Sequence, residues 1–144
     1  MRKEIEVKAK VENLDKLARK LEALGCTLSE PLEQRDRIFF NIAERFDSFV
    51  PGANFLRIRE TGGKVFFTLK QAQANELDAL EREVEVSDAE ELKELILLLG
   101  FKEGIHLSKI RRKTNFRGYE ICLDELPELG CFIEVEKICE DEDA

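Results

Sequence analysis

The chain has 144 residues, 43% hydrophobic and 38% charged, enough apolar material to bury the core of a single domain. Its formal net charge of -8 and pI near 4.9 exclude the excess of exposed Lys and Arg that phosphate backbones require, so no nucleic-acid partner is expected. No apolar run reaches the length of a membrane span, and charge begins at position two, where a signal peptide would need an apolar segment. A cytoplasmic protein with no membrane partner is the expectation.

The first element is written in "EIEVKAK", residues 4 to 10, whose strict alternation places Glu4, Glu6, Lys8 and Lys10 on one face of a strand and Ile5, Val7 and Ala9 on the other. Asn13 is a good N-cap for the helix that follows. That helix carries a stripe of Leu14, Leu17, Leu21 and Leu24 and ends at Gly25. Strand patterns then cover 32 to 41, Phe55 to Glu60 and, after the turn Thr61-Gly62-Gly63, Lys64 to Lys70. A second half repeats the first. "EREVEV" leads into a helix opening on Ser87-Asp88-Ala89-Glu90, which fits a capping box. This helix carries Leu92, Leu95, Ile96 and Leu99 and stops at Gly100. Strand patterns follow at 105 to 113, Arg117 to Leu123 and, after a turn around Pro127, Cys131 to Lys137. Two β-α-β-β-β halves predict an α+β fold in which eight mostly antiparallel strands close into a barrel, since closure removes exposed edges. Residues 1–139 read as one domain. The run Glu140-Asp141-Glu142-Asp143 reads as part of an acidic tail, 140–144.

Alternation decides which way this barrel faces. Charged and polar side chains share one face on each strand: Glu4, Glu6 and Lys8; Arg57 and Arg59; Thr68 and Lys70; Glu81 and Glu83; Lys109 and Arg111; Cys122 and Asp124; Glu134 and Glu136. Aliphatics fill the opposite faces. Two helices with leucine stripes need an apolar surface to lie on, and a barrel coated with aliphatics and lined with charge supplies it. Superposing the two hairpins matches Arg59 with Asp124, and Thr68 and Lys70 with Glu134 and Glu136. The first half therefore brings mainly cations and the second mainly carboxylates.

An empty lumen of clustered like charges is costly, because such pairs at about 4 Å repel by several kcal/mol at an effective dielectric near 20. The lining therefore predicts a ligand carrying both signs, and a triphosphate with a divalent metal is one. Lys8, Arg57, Arg59, Lys70, Lys109 and Arg111 suit its phosphates, while Glu4, Glu6, Asp124, Glu134 and Glu136 offer hard oxygen ligands for Mg²⁺ or Mn²⁺. Zinc and Cys-His chemistry are not expected. Cys26, Cys122, Cys131 and Cys139 are far apart and contain no CxxC, and His106, the one histidine, is expected to be solvated or capping.

At these positions the chain resembles the CYTH, or triphosphate tunnel metalloenzyme, superfamily. The matching residues are ExExK at Glu4-Ile5-Glu6-Val7-Lys8, Leu56-Arg57-Ile58-Arg59, Thr68-Leu69-Lys70, the ExE at Glu81 and Glu83, Lys109-Ile110-Arg111, and "LDELPELGCFIEVEK" from Leu123 to Lys137. The resemblance covers nearly the whole chain and is nearest to the class IV adenylate cyclase-like branch. It implies an eight-stranded antiparallel barrel enclosing a hydrophilic tunnel, and a metal-dependent enzyme acting on a triphosphate. The choices are ATP cyclisation to cyclic AMP and pyrophosphate, hydrolysis of thiamine, inorganic or nucleoside triphosphate, or binding without turnover. It further implies Glu6, Lys8 and Glu134 as catalytic residues. Glu6, Glu134 and Glu136 would be leading metal ligands, with Glu4, Asp124, Glu81 and Glu83 in support, although Glu85 leaves the pairing on that strand open. The six bases named above would hold the phosphates. Resemblance and the general frequency of twofold assemblies make a homodimer the expected oligomer.

Two departures from the family pattern stand out. "QRDRIFFNI" carries Phe39 and Phe40 where relatives show a tyrosine-containing strand, leaving the local register and the role of Asp36 open. The sequence also ends soon after Lys137, where many relatives continue into a helical segment that helps close the tunnel, which implies a looser enclosure here.

Overall fold

The computed structural model describes residues 3–41, 52–73 and 78–139, without the side chains of 3, 4, 138 and 139. The Glu4 carboxylate and the Cys139 thiol, expected above to take part or to pack, therefore lie outside the described residues, as does the acidic tail 140–144. The elements are β1 (Lys3–Val11), α1 (Leu14–Ala23), β2 (Leu32–Asn41), β3 (Asn54–Thr61), β4 (Lys64–Ala72), β5 (Asp78–Val86), α2 (Ala89–Leu98), β6 (Phe101–Phe116), β7 (Tyr119–Leu126) and β8 (Gly130–Cys139). All neighbouring strands are antiparallel, and the sheet closes in the order β1-β5-β4-β3-β2-β6-β7-β8. No helix among the described residues is long and apolar enough to cross a membrane.

The polar faces turn inward and the aliphatic faces outward. α1 lays Leu14, Leu17, Ala18 and Leu21 on Ile121, Leu123, Ile133 and Val135 of β7 and β8. α2 lays Ala89, Leu92 and Ile96 on Phe39, Leu56, Ile58, Phe67 and Leu69 of β2, β3 and β4. The molecule thus has two small outer cores, one per helix, in place of a single oily centre. Each fully buried side chain such as Ile96 contributes about 1.5–3 kcal/mol. Both stripes are narrower than expected. Leu24 is 61% exposed and Leu99 is 73% exposed because each is the C-cap, where the chain turns away from the barrel through a left-handed glycine, Gly25 (φ 93°) or Gly100 (φ 97°). Leu95 also faces outward.

Two local expectations need correction. The second helix is capped by Asp88, whose side chain accepts from the Glu91 N–H at 3.0 Å, one residue later than a box starting at Ser87. The hairpin between β6 and β7 turns at Arg117 (φ 51°) and Gly118 (φ 83°), so Arg117 is a turn residue and β7 starts at Tyr119. Asn13 caps α1 as expected, accepting from the Lys16 N–H at 3.0 Å.

The register in the phenylalanine segment is set by a bulge. Ile38 pairs with Ile105 but Phe39 pairs with Glu103, leaving Gly104 as the extra residue on β6. A bulge reverses face parity along a strand. Phe101 can therefore pack outward beneath α2 while Lys109, also odd-numbered, lines the lumen. The Phe40 ring lies where a Gly104 side chain would be: an added Cβ would stand 2.3 Å from its Cε1 atom.

Candidate functional site

The lumen is a cavity of about 740 Å³ lined by residues from every strand. Glu6, Lys8, Arg57, Arg59, Lys70, Glu81, Glu83, Lys109, Arg111, Glu134 and Glu136 all reach it, and Glu85 does not. Asp124, fully buried, stands behind this lining through its pairing with Arg111. Gln34, Asp36, Lys113, Glu120 and the segment Ser29 to Leu32 also line the cavity, none of which the sequence reading assigned to it. Glu120 shares its strand parity with Cys122 and Asp124, so alternation could have found it. Gln34 and Asp36 alternate in the same way, but the aromatic run after them hid the pattern.

One part of the lining is already charge-compensated. Arg59 donates from Nε and Nη2 to the two Asp36 oxygens, both at 2.7 Å, and Arg111 donates in the same way to Asp124 at 2.7 Å and 2.7 Å. The Arg111 Nη2 also donates to Glu134. The Lys109 ammonium stands between the two pairs, 3.8 Å from Asp36 and 3.9 Å from Asp124. These six groups are each at least nine-tenths buried.

Burial and pairing compete in setting their ionisation. Burial would raise the Asp36 carboxyl, but its hydrogen bond to Arg59, with Arg57 and Lys109 nearby, holds it below the usual aspartate range. For Arg111, burial is outweighed by Asp124 and Glu134, which push the guanidinium well above its ordinary value. For Lys109, burial reinforced by Arg111 and Arg59 prevails over Asp36 and Glu134, and brings the ammonium down to about 8. Burial drives the Cys122 thiol up to about 12, so it is inert.

The other part of the lining is more open. Lys70 lies 3.7 Å from Glu6. Arg57 donates to Thr68 at 3.3 Å and lies 3.5 Å from Glu83, while Thr68 donates to Glu83 at 2.8 Å. Lys8 sits 5.2 Å over the Phe132 ring. Glu6, Glu136 and Glu120 are opposite one another on β1, β8 and β7. Burial raises the Glu136 carboxyl, Lys70 opposes, and Glu120, Glu6 and Glu134 add to the rise. Within the lumen, Arg57 Nε and Glu81 Oε2 are buried with no hydrogen-bond partner.

A hard divalent cation fits this donor set: oxygen-only ligands, acids opposite one another on β1, β8 and β7, and an orphaned Glu81 oxygen. Among the described residues no trio of acids is already gathered around one point, so side chains would have to turn to share an ion.

The CYTH domain family profile matches residues 2–144. A Methanocaldococcus jannaschii protein named "Putative adenylate cyclase" is 32% identical over 140 residues, covering 96% of this chain and 78% of that protein. A solved Pyrococcus horikoshii OT3 structure is 30% identical with a TM-score of 0.79, covering 97% of this chain and 81% of that one. A solved Hippeastrum protein, described as a "Putative adenylyl cyclase" with a dominant triphosphatase activity, shares the fold at 17% identity and a TM-score of 0.61, covering 99% of this chain and 81% of that one.

Proposed function

The chain belongs to the CYTH domain family, and on that premise we propose that its lumen binds a triphosphate with Mg²⁺ or Mn²⁺ and that the protein is a cytoplasmic enzyme acting on it, in the first reading as an adenylate cyclase. The observation that carries this is the convergence of both charge signs in one enclosed cavity. A cavity for a simple anion would not gather Glu6, Glu120, Glu134 and Glu136; one for a bare cation would not gather Lys8, Arg57, Lys70 and Lys109.

Glu6, Glu134 and Glu136 would hold the cation, with Glu81 and Glu83 in support, while Asp124, buried with both oxygens on Arg111, would act through that arginine. When bound, such an ion neutralises phosphate charge and acidifies an attacking hydroxyl. Lys8, Arg57 and Lys70 grip the phosphate oxygens from the open part of the lining and hold the chain of phosphates in line for displacement. The compensated wall of Arg59, Lys109 and Arg111 presents the guanidinium N–H groups not taken by carboxylates, and the Lys109 ammonium, as fixed donors for charge that develops on the leaving group. Barrel walls exclude bulk water, which strengthens each of these contacts.

Hydrolysis of the triphosphate is the second reading, served by the same lining, since the cavity walls do not fix which phosphorus is attacked. Incubation with ATP, thiamine triphosphate and inorganic tripolyphosphate, each with Mg²⁺ or Mn²⁺, separates them. Cyclic AMP with pyrophosphate supports the cyclase and released phosphate the hydrolase, whereas binding without product leaves a non-catalytic module. Glu136→Gln is expected to lower turnover about 100-fold or more, the scale of losing a charged group from a metal or oxyanion site. Unchanged turnover removes Glu136 from that role.

A further inference from the structure

The lumen is lined mainly by charged side chains, and its uncharged residues are grouped, with Ile38 and Leu107 at one place and a larger set at another. Where the start of β2 meets the end of β3 and the start of β4, its lining is Pro31, Leu32, Gln34, Thr61 and Phe66, all uncharged. Registry makes these residues neighbours: Gln34 is opposite Thr61, and Phe66 is opposite Arg59, the next inward residue along β3.

Gln34 is 3% exposed, yet its side-chain oxygen has no hydrogen-bond partner. Of its polar neighbours, Asp36 holds Arg59, the Thr61 hydroxyl donates to the Glu33 carbonyl at 2.9 Å, and Lys109, opposite Gln34 on β6, stands between Asp36 and Asp124 at 3.8 and 3.9 Å. Buried polar groups are ordinarily paired, so an orphaned amide in a cavity wall points to a ligand atom. Arg57 Nε and Glu81 Oε2 are orphaned too, but a cation and an anion are what phosphate and metal require. Gln34 is neutral and offers both a donor and an acceptor. Inorganic triphosphate at neutral pH presents mainly acceptors and nothing for Leu32 or Phe66 to pack against. A sugar or planar heterocycle presents donors, acceptors and an apolar face.

We propose that this neutral wall seats the organic group of an organic triphosphate, with the Gln34 amide hydrogen-bonding to it and Phe66 packing on it. The assignment rests on the triphosphate reading above and extends it from the phosphates to the group they are attached to. Gln34 is then a specificity residue, selecting among triphosphates and leaving the phosphate grip unaltered.

Competitive binding titrations with tripolyphosphate, ATP, CTP and thiamine triphosphate in saturating Mn²⁺ test this. In the wild type, at least one organic probe is expected to bind tenfold or more tightly than tripolyphosphate. Gln34→Met, close in size and unable to hydrogen-bond, should weaken that probe about tenfold and leave tripolyphosphate within twofold. If Gln34→Met does not fold, Phe66→Leu is read by the same criterion. Tripolyphosphate binding as tightly as every organic probe overturns the proposal and leaves the triphosphate reading standing. So does a substitution that weakens all probes equally or none. Failure of the wild type to bind any of the four overturns the triphosphate reading, and this one with it.

Discussion

The two halves of the barrel share one construction and carry opposite charges. Registry pairs Asp36 with Arg59 across β2 and β3, and Arg111 with Asp124 across β6 and β7, so the aspartate and arginine have exchanged strands. Continuing around the barrel, Arg57 and Thr68 of the first half correspond to Cys122 and Glu134 of the second, and Lys70 corresponds to Glu136. A duplicated fold with identical charges would gather like against like at the centre. With reversal each half closes its own aspartate–arginine pair, and Lys109–Asp36 and Arg57–Glu83 link the halves with opposite charges.

The compensation is not equal, and that difference can be measured. Arg59 faces one buried acid, whereas Arg111 faces two, Asp124 and Glu134. Arg111→Met leaves two adjacent carboxylates without their guanidinium and should cost about 3–5 kcal/mol in urea unfolding, while Arg59→Met should cost less because it strands one carboxylate and not two. Equal losses would mean that the halves are energetically equivalent.

Lys109 stands where the halves meet, so its titration reports their junction. Its folded pKa of about 8 lies below the ordinary lysine value of 10.5, so between those limits the unfolded chain binds more protons and stability rises with pH. The gain is complete above about pH 10.5 and absent below about pH 8. Lys109→Met should remove that rise from the wild-type profile, and a parallel profile for the two proteins would place the ammonium elsewhere.

Smaller effects separate features held by one half from those held by both. The bulge at Gly104 has no counterpart in the first half, and Gly104→Ala should cost about 1–3 kcal/mol because the Phe40 ring must move. A neutral result would show the ring free to turn. The helix caps belong to both halves, so Asn13→Ala and Asp88→Ala should each cost about 1 kcal/mol. A cap that costs nothing in thermal melts would mark its helix as held by packing alone.

Much of this was legible in the sequence because a period of two is hard to hide. "EIEVKAK", "FLRIRE" and "CFIEVEK" each declare a charged and an apolar face, and two amphipathic helices require the apolar faces outward. The equivalence of Arg59 with Asp124 followed from the repeat and is borne out by registry. What the sequence concealed has a common cause. Alternation predicts faces only while the register is unbroken, and the Gly104 bulge reverses parity along β6. Pairing was hidden as well: charge count does not show that Arg59 and Arg111 are each clasped by an aspartate. Leu24, Leu95 and Leu99 fit a helical stripe, but Leu24 and Leu99 are C-caps where the chain turns away through glycine, and Leu95 faces solvent from within α2.

The central claim is that one polar lumen holds triphosphate and divalent cation together. A crystal grown with tripolyphosphate and Mn²⁺, with data collected at the manganese edge, tests it most directly. Anomalous density beside Glu6, Glu134 or Glu136, with phosphates against Lys8, Arg57 and Lys70, is the predicted result. Manganese and phosphate confined to the outer surface, with the cavity holding water alone, would contradict it.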